Sequence, residues 1–111
     1  MNKTIRLRPH VFSDYYYGRR RLLIRPATDF YEVRVGTSIQ LQAGNDEKAS
    51  FRVMTIRKYP SFAAALAAED WRKAFPHAAD EGQVLAILRE LHDPTEEKRG
   101  VCVVELERIK H

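Results

Sequence analysis

Gly100-Val101-Cys102-Val103-Val104-Glu105-Leu106 decides the fold. Cys102, Val104 and Leu106, at every second position, define a closing β-strand. The strand is expected to end near Ile109. It follows residues 60–99, where apolar positions recur at helical spacing, and the earlier extended segments end at Lys58. A strand that comes after the helices must return to a sheet already built. A half-open or closed barrel with helices packed at one side meets that requirement.

The segments around this strand fit the same plan. Ser61 is a candidate N-cap, and Phe62, Ala65 and Leu66 form one apolar stripe. Trp71, Ala74 and Phe75 form a second, rotated stripe, which implies a bend near Glu69-Asp70 or two short helices. Pro76 stops the segment. Asp80 and Gln83 approximate a capping box. Val84, Ile87, Leu88 and Leu91 then recur at i, i+3, i+4 and i+7, and Asp93-Pro94-Thr95 breaks the helix. Upstream, Phe51 to Lys58 reads as a strand with two apolar sides, as in a central or barrel strand. Gly44-Asn45-Asp46 marks a turn, and Ser38 to Gln42 alternates cleanly. Ala27 to Val35 has no clear period. In Thr4 to Arg8, Ile5 and Leu7 face one side and Thr4, Arg6 and Arg8 the other. Pro9 ends that strand. Val11 to Tyr17 suits a helical turn that Gly18 can stop with a positive φ. A strand through Arg20, Leu22 and Ile24, with Arg19, Arg21, Leu23 and Arg25 on its other side, runs to Pro26. The expected fold is α+β: a small mixed β-barrel of five or six strands, with a two- or three-helix insert before the last strand. Residues 1–111 are read as one domain.

The chain has 111 residues, 44% of them hydrophobic and 31% charged, ordinary values for a globular domain. No apolar run approaches the roughly 18 residues of a membrane span, so no membrane partner is expected. The start, Met1 to Arg6, lacks the apolar core of a secretory signal. Cys102 is the single cysteine. No internal disulfide can form, and a cytoplasmic location is expected. Among valines, Cys102 reads as core filler. The net charge of +4 is unevenly spread: 12 Lys/Arg against 5 Asp/Glu in residues 1–58, and 7 against 10 in residues 59–111. That asymmetry suggests one face suited to a polyanion.

Tyr17-Gly18-Arg19-Arg20-Arg21-Leu22-Leu23-Ile24-Arg25 concentrates that basic charge. Arg19, Arg20, Arg21 and Arg25 supply guanidinium forks suited to phosphate, and Tyr17 is the chosen stacking ring of the Tyr15-Tyr16-Tyr17 run. Three consecutive tyrosines cannot all point one way, so at least one is expected in the core. The competing reading is an edge strand protected by arginine. Arg57, Lys58 and Tyr59 form a second basic-aromatic group at the junction with the helices, and snorkelling side chains explain it equally well.

Four stretches, in this order, resemble the ASCH domain of the PUA-like barrel superfamily. They are Gly18-Arg19-Arg20 leading into Leu22-Leu23-Ile24-Arg25, then Val35-Gly36-Thr37-Ser38-Ile39, then Ile56-Arg57-Lys58-Tyr59-Pro60-Ser61-Phe62, then the closing Gly100 to Leu106 strand. The resemblance implies a small barrel with a cleft between barrel and helices, and binding of RNA or a modified nucleobase. One branch resembles an amidohydrolase of N4-acylated cytidine that uses a lysine, a threonine and a glutamate. Here Arg20 and Leu23 occupy the lysine and threonine positions. Glu69 and Asp70 are the nearest carboxylates, and Thr37 replaces the aspartate of a Gly-Asp element.

His10, His77, His92 and His111 are scattered, and neither HxxxH nor CxxC occurs, so no metal is expected. The absence of Walker A, GxGxxG and GxSxG patterns leaves no cofactor indicated. The expected ligand is RNA or a nucleotide. The alternatives are a hydrolase (a ribonuclease or an altered nucleoside amidohydrolase, with Lys58, Glu69 and Tyr17 as the candidate groups) and a module that binds an acidic protein. Arginine stays protonated and leucine has no hydroxyl. The wild-type protein is therefore expected to release no acetate from N4-acetylcytidine. Activity gained only in the Arg20→Lys/Leu23→Thr variant would support this argument, and robust release by the wild type would overturn it.

Overall fold

The computed structural model describes residues 3–109. Met1 and Asn2 of the leader reading, and His111 of the histidine set, lie outside them. The order is β1 (Lys3–Arg6), α1 (Pro9–Tyr16), β2 (Leu22–Pro26), β3 (Ser38–Ala43), β4 (Glu47–Tyr59), α2 (Phe62–Ala68), α3 (Glu81–Leu91), α4 (Pro94–Lys98) and β5 (Val101–Arg108). Short 3-10 turns occupy Ala27–Phe30 and Trp71–Lys73. The fold is a mixed α+β arrangement built on a five-stranded sheet ordered β1-β3-β4-β5-β2. β1 runs parallel to β3, and the other neighbours are antiparallel. The last strand lies between β4 and β2, so it does return to the sheet that the chain left at Tyr59.

The sheet curls into a half-barrel whose outer strands, β1 and β2, do not pair with each other. α1 lies against the concave side. Pro9 stands in its first turn, where no backbone donor is needed. Its Phe12 and Tyr15 join Ile5, Leu41, Phe51, Val53, Leu23, Val104 and Leu106 in the inner core. The convex side of β2 and β5 carries Leu22, Ile24, Val101 and Val103, which pack against Phe62, Leu66, Trp71, Val84 and Leu88 of the insert. These two strands are thus covered on both faces. That is why Leu22-Leu23-Ile24 and Val101 to Val104 are unbroken apolar runs rather than alternations.

β4 is central, and its two apolar sides have a specific cause. The register against β5 shifts between Val53 and Thr55, a β-bulge. Phe51 and Val53 face the inner core before it, and Ile56 packs on the same core after it. The odd–even phase therefore slips by one residue at Met54, which is 38% exposed.

Several boundaries differ from the sequence reading. β2 begins at Leu22, so Arg19, Arg20 and Arg21 belong to the turn before it. β1 ends at Arg6 rather than Arg8, and β4 starts four residues early, at Glu47. Asp93-Pro94 ends α3 but also starts α4: Asp93 caps it by accepting from the Thr95 N–H, with Pro94 in the first turn. The bend at Glu69-Asp70 separates α2 from the Trp71–Lys73 turn. Ser61 caps α2 by accepting from the Ala64 N–H at 3.1 Å, and Asp80 caps α3 by accepting from the Gln83 N–H at 2.8 Å. Gln83 reaches back to the Ala79 N–H, one residue ahead of the capping-box position.

Removing the cap by Ser61→Ala is expected to cost about 1 kcal/mol. Phe62→Ala, which empties a fully buried site, is expected to cost about 3–5 kcal/mol. Urea unfolding of the two variants checks both values, and equal losses would contradict the packing described.

Candidate functional site

The arginine-rich turn folds back onto α1. Gly18 takes a φ of +81°, which carries the chain out of the helix. The N–H groups of Arg19 and Arg20 both donate to the Asp14 carbonyl, at 2.8 and 3.0 Å. Their side chains converge on the same residue: Arg19 Nε lies 2.7 Å from Asp14 Oδ1, and Arg20 Nε lies 2.9 Å from Oδ2. His77 Nε2 stands 3.2 Å from Oδ2. Arg20 also donates to the Ala74 carbonyl at 2.9 Å and lies over the Phe75 ring. The Arg21 N–H donates to the Lys73 carbonyl at 2.7 Å. Asp14 is only 3% exposed. Burial opposes its ionisation, but hydrogen bonds from Arg19 and Arg20 outweigh that, and its carboxyl sits below the usual aspartate range.

A cleft of about 680 Å³ opens where β1 and β2 fail to pair, between the half-barrel and α3. Arg6, Arg8 and His10 border it from the end of β1 and the start of α1. Arg20 and Arg25 border it from β2 and the turn before it, and His92 from the end of α3. Glu90 is the one carboxylate on its wall. Leu7, Val11, Leu23, Phe75 and Leu91 give it an apolar lining. Arg25 is half-buried, and its Nε donates to Asp29 Oδ2 at 2.7 Å. Burial and the nearby Arg25 charge both push the His92 imidazole below its ordinary pKa.

The structure divides the predicted arginine group. Arg25 borders the cleft, and Arg20 borders both the cleft and a second groove. Tyr17 and Arg21 border that groove of about 500 Å³ at the end of the barrel, together with Gly18, Met54 and Arg108. Arg19 lies beside that groove, its guanidinium 5.5 Å from the Tyr17 ring centroid. The tyrosine run also separates. Tyr15 is in the core and donates to the Leu22 carbonyl at 2.7 Å. Tyr16 is half-buried under the Arg108 guanidinium, 3.8 Å from its ring. Tyr17 is 70% exposed.

Arg57, Tyr59 and Glu69 form a separate cluster outside both. Arg57 grips Glu69 with two N–H groups, at 2.5 and 2.8 Å, and the Tyr59 hydroxyl donates to the same carboxylate. The Arg57 hydrogen bonds hold Glu69 below the usual carboxylate range, and the bond to Glu69 raises the Tyr59 hydroxyl above its ordinary value. Glu69 is thus a weak proton acceptor, already occupied by three donors. Lys58 is exposed, with Cys102 as its register partner on β5. Tyr17, Lys58 and Glu69 are not brought together: Tyr17 borders the second groove, and neither of the others borders it or the cleft.

Asp14, Arg6, Arg8, His10 and His92 are the site residues that sequence reasoning missed. Arg6 and Arg8 carried a signal, since both sit opposite Ile5 and Leu7. Asp14 carried only a faint one, a carboxylate among aromatics, because its partners lie five and six residues on, which is not helical spacing. Among the described residues no three His, Cys, Asp or Glu side chains group as metal ligands, and no helix is long and apolar enough to cross a membrane.

Because the Asp14 carboxyl is lowered on folding, it stabilises the fold above its unfolded value, and that contribution is lost as pH falls through its folded value. Asp14→Ala should lose about 3–5 kcal/mol at pH 7, where it strands Arg20. It should also lose less than the wild type between pH 5 and pH 3, leaving the slope due to Glu69 and Asp93. Urea midpoints at pH 7, 5 and 3 measure this, and parallel profiles would show that Asp14 is not the titrating anchor.

No family model matches the chain, and no curated protein matches it. Five chains among the solved structures do. One is a crystal structure of the hypothetical protein PH0355, with a TM-score of 0.84 at 21% identity, covering 98% of this chain and 100% of that one. Another is the solution NMR structure of PF0455 from Pyrococcus furiosus, with a TM-score of 0.81 at 21% identity and full coverage of both chains. At that identity the likeness shows a shared fold.

Proposed function

We propose that the half-barrel is a PUA-like, ASCH-type scaffold and that the protein binds RNA or a nucleotide in the cleft between β1, β2 and α3. The observation that carries this reading is the cleft wall itself. Four arginines, Arg6, Arg8, Arg20 and Arg25, border one cavity against the single carboxylate Glu90, above an apolar lining. Apolar side chains accept the face of a base, and guanidinium groups accept its phosphate. The ion pairs do not disqualify the arginines. Asp29 engages Arg25 through Nε, which leaves the two terminal nitrogens to fork a phosphate. Arg20 has less to offer, since Asp14 and the Ala74 carbonyl already take two of its donors. Arg8 and Arg25 are therefore the principal phosphate contacts, and Arg20 mainly fixes the cleft's shape. The ordered resemblance to ASCH domains from Gly18 to Leu106 supports the same reading.

Binding of short RNA should weaken with salt, by roughly 0.7 log units of affinity per log unit of salt for each phosphate neutralised. Arg8→Ala and Arg25→Ala should each lower affinity and reduce the salt slope by about 0.7. Fluorescence-anisotropy titrations at several salt concentrations give both quantities. If neither variant changes either one, the cleft is not the binding site.

A further inference from the structure

Resting on that reading, we infer that the ligand is a single-stranded oligonucleotide rather than a mononucleotide, with a second nucleotide site in the groove at Tyr17. Arg20 and Tyr15 border both the cleft and the groove, so the two share a wall and adjacent nucleotides can occupy them. On the groove side, Gly18 has no side chain, and nothing lies within 4 Å of where a Cβ would stand. A sugar–phosphate backbone can approach the groove there at close range.

Beyond the shared wall the groove has what a second nucleotide needs. The Tyr17 ring is 70% exposed, and base–aromatic stacking tolerates any base. The Arg19 guanidinium beside that ring is engaged at Nε by Asp14 and at one terminal nitrogen by Ser13, leaving the other for a phosphate. Arg21 is exposed on the same side. The opposite wall carries Glu105 and Glu107 along with Arg108. Those carboxylates repel a phosphate from the β5 side and favour the Arg19–Arg21 side. The path thus runs from Arg8 and Arg25, past the wall shared at Arg20, to Tyr17.

The test uses uridine 5′-monophosphate and 5′-phosphorylated oligouridylates of two and five nucleotides, titrated against the wild type, Tyr17→Ala and Tyr17→Phe. The wild type should bind the dinucleotide more tightly than the monophosphate. Tyr17→Ala should weaken the oligonucleotides roughly 5- to 150-fold, the range expected for one lost stack, and leave the monophosphate unchanged. Tyr17→Phe, which keeps the ring, should retain wild-type affinity. A thermal melt confirms that the exposed substitution leaves the fold intact. A gain with length that survives Tyr17→Ala places the neighbouring nucleotide elsewhere and overturns the inference. So does the absence of any gain with length, although monophosphate binding would then leave the cleft reading standing. No binding of any probe overturns both.

Discussion

The carboxylate of Asp14 lies where water scarcely reaches, and an ion there must be surrounded by donors or give up its charge. It collects the side chains of Arg19, Arg20 and His77, while its own carbonyl takes the N–H groups of Arg19 and Arg20. These bonds tie three separate parts of the chain together. α1 is joined to the turn that follows it, the turn sets the start of β2, and Arg20 continues to the Ala74 carbonyl in the helical insert. The insert thus has a polar attachment to the barrel in addition to its apolar one, and the arginines owe their positions to a residue with no ligand of its own.

The second constraint is topological. With β1 at one edge and β2 at the other, five strands leave a seam. A seam exposes unpaired backbone, which proteins cover or protect. Here α1 spans the concave side and Pro26 removes a donor from β2. What stays open becomes the cleft. The two edges bring basic side chains from opposite ends of the sheet, Arg6 from β1 with Arg8 just beyond it, and Arg25 from β2. Their proximity follows from the failure to close rather than from any sequence neighbourhood.

That explains what could be read from the chain beforehand. The apolar periods of Phe62 to Leu66 and Val84 to Leu91, the caps Ser61 and Asp80, and the closing strand are local signals, and local chemistry enforces them. The parallel pairing of β1 with β3 is not local, and nothing in Thr4 to Arg8 or Ser38 to Gln42 announces it. Met54 is a subtler case. Its flanking residues look like a strand with two apolar faces because a bulge shifts the phase, and one strand cannot show whether its phase has slipped without its partner. The basic run at Arg19 to Arg25 was visible as composition. Its division between a cleft and a groove was not, because that depends on β2 beginning only at Leu22 and on Asp14 drawing Arg19 and Arg20 inward.

Fixing arginines with carboxylates has opposed effects on the proposed phosphate binding, and screening decides their balance. Each Asp partner reduces the local positive potential, which weakens long-range attraction of a polyanion. Each also holds a long, flexible side chain in one geometry, so less rotamer freedom is lost when a phosphate arrives. For exposed groups at physiological salt, screening over about 8 Å already removes much of the long-range term. The short-range gain from a pre-oriented fork is screened far less. In the proposed binding mode a half-buried Arg25 held by Asp29 therefore suits recognition at contact distance, while Arg20, held by Asp14 and the Ala74 carbonyl, fixes the cleft's shape. Arg6 and Arg8, for which no carboxylate partner is seen among the described residues, keep their charge unpaired, so in the proposed binding mode they would attract the polyanion and Arg8 would then contact its phosphate. Under the proposed function, the balance between long-range attraction and short-range orientation is thus set by which arginines have an acidic neighbour.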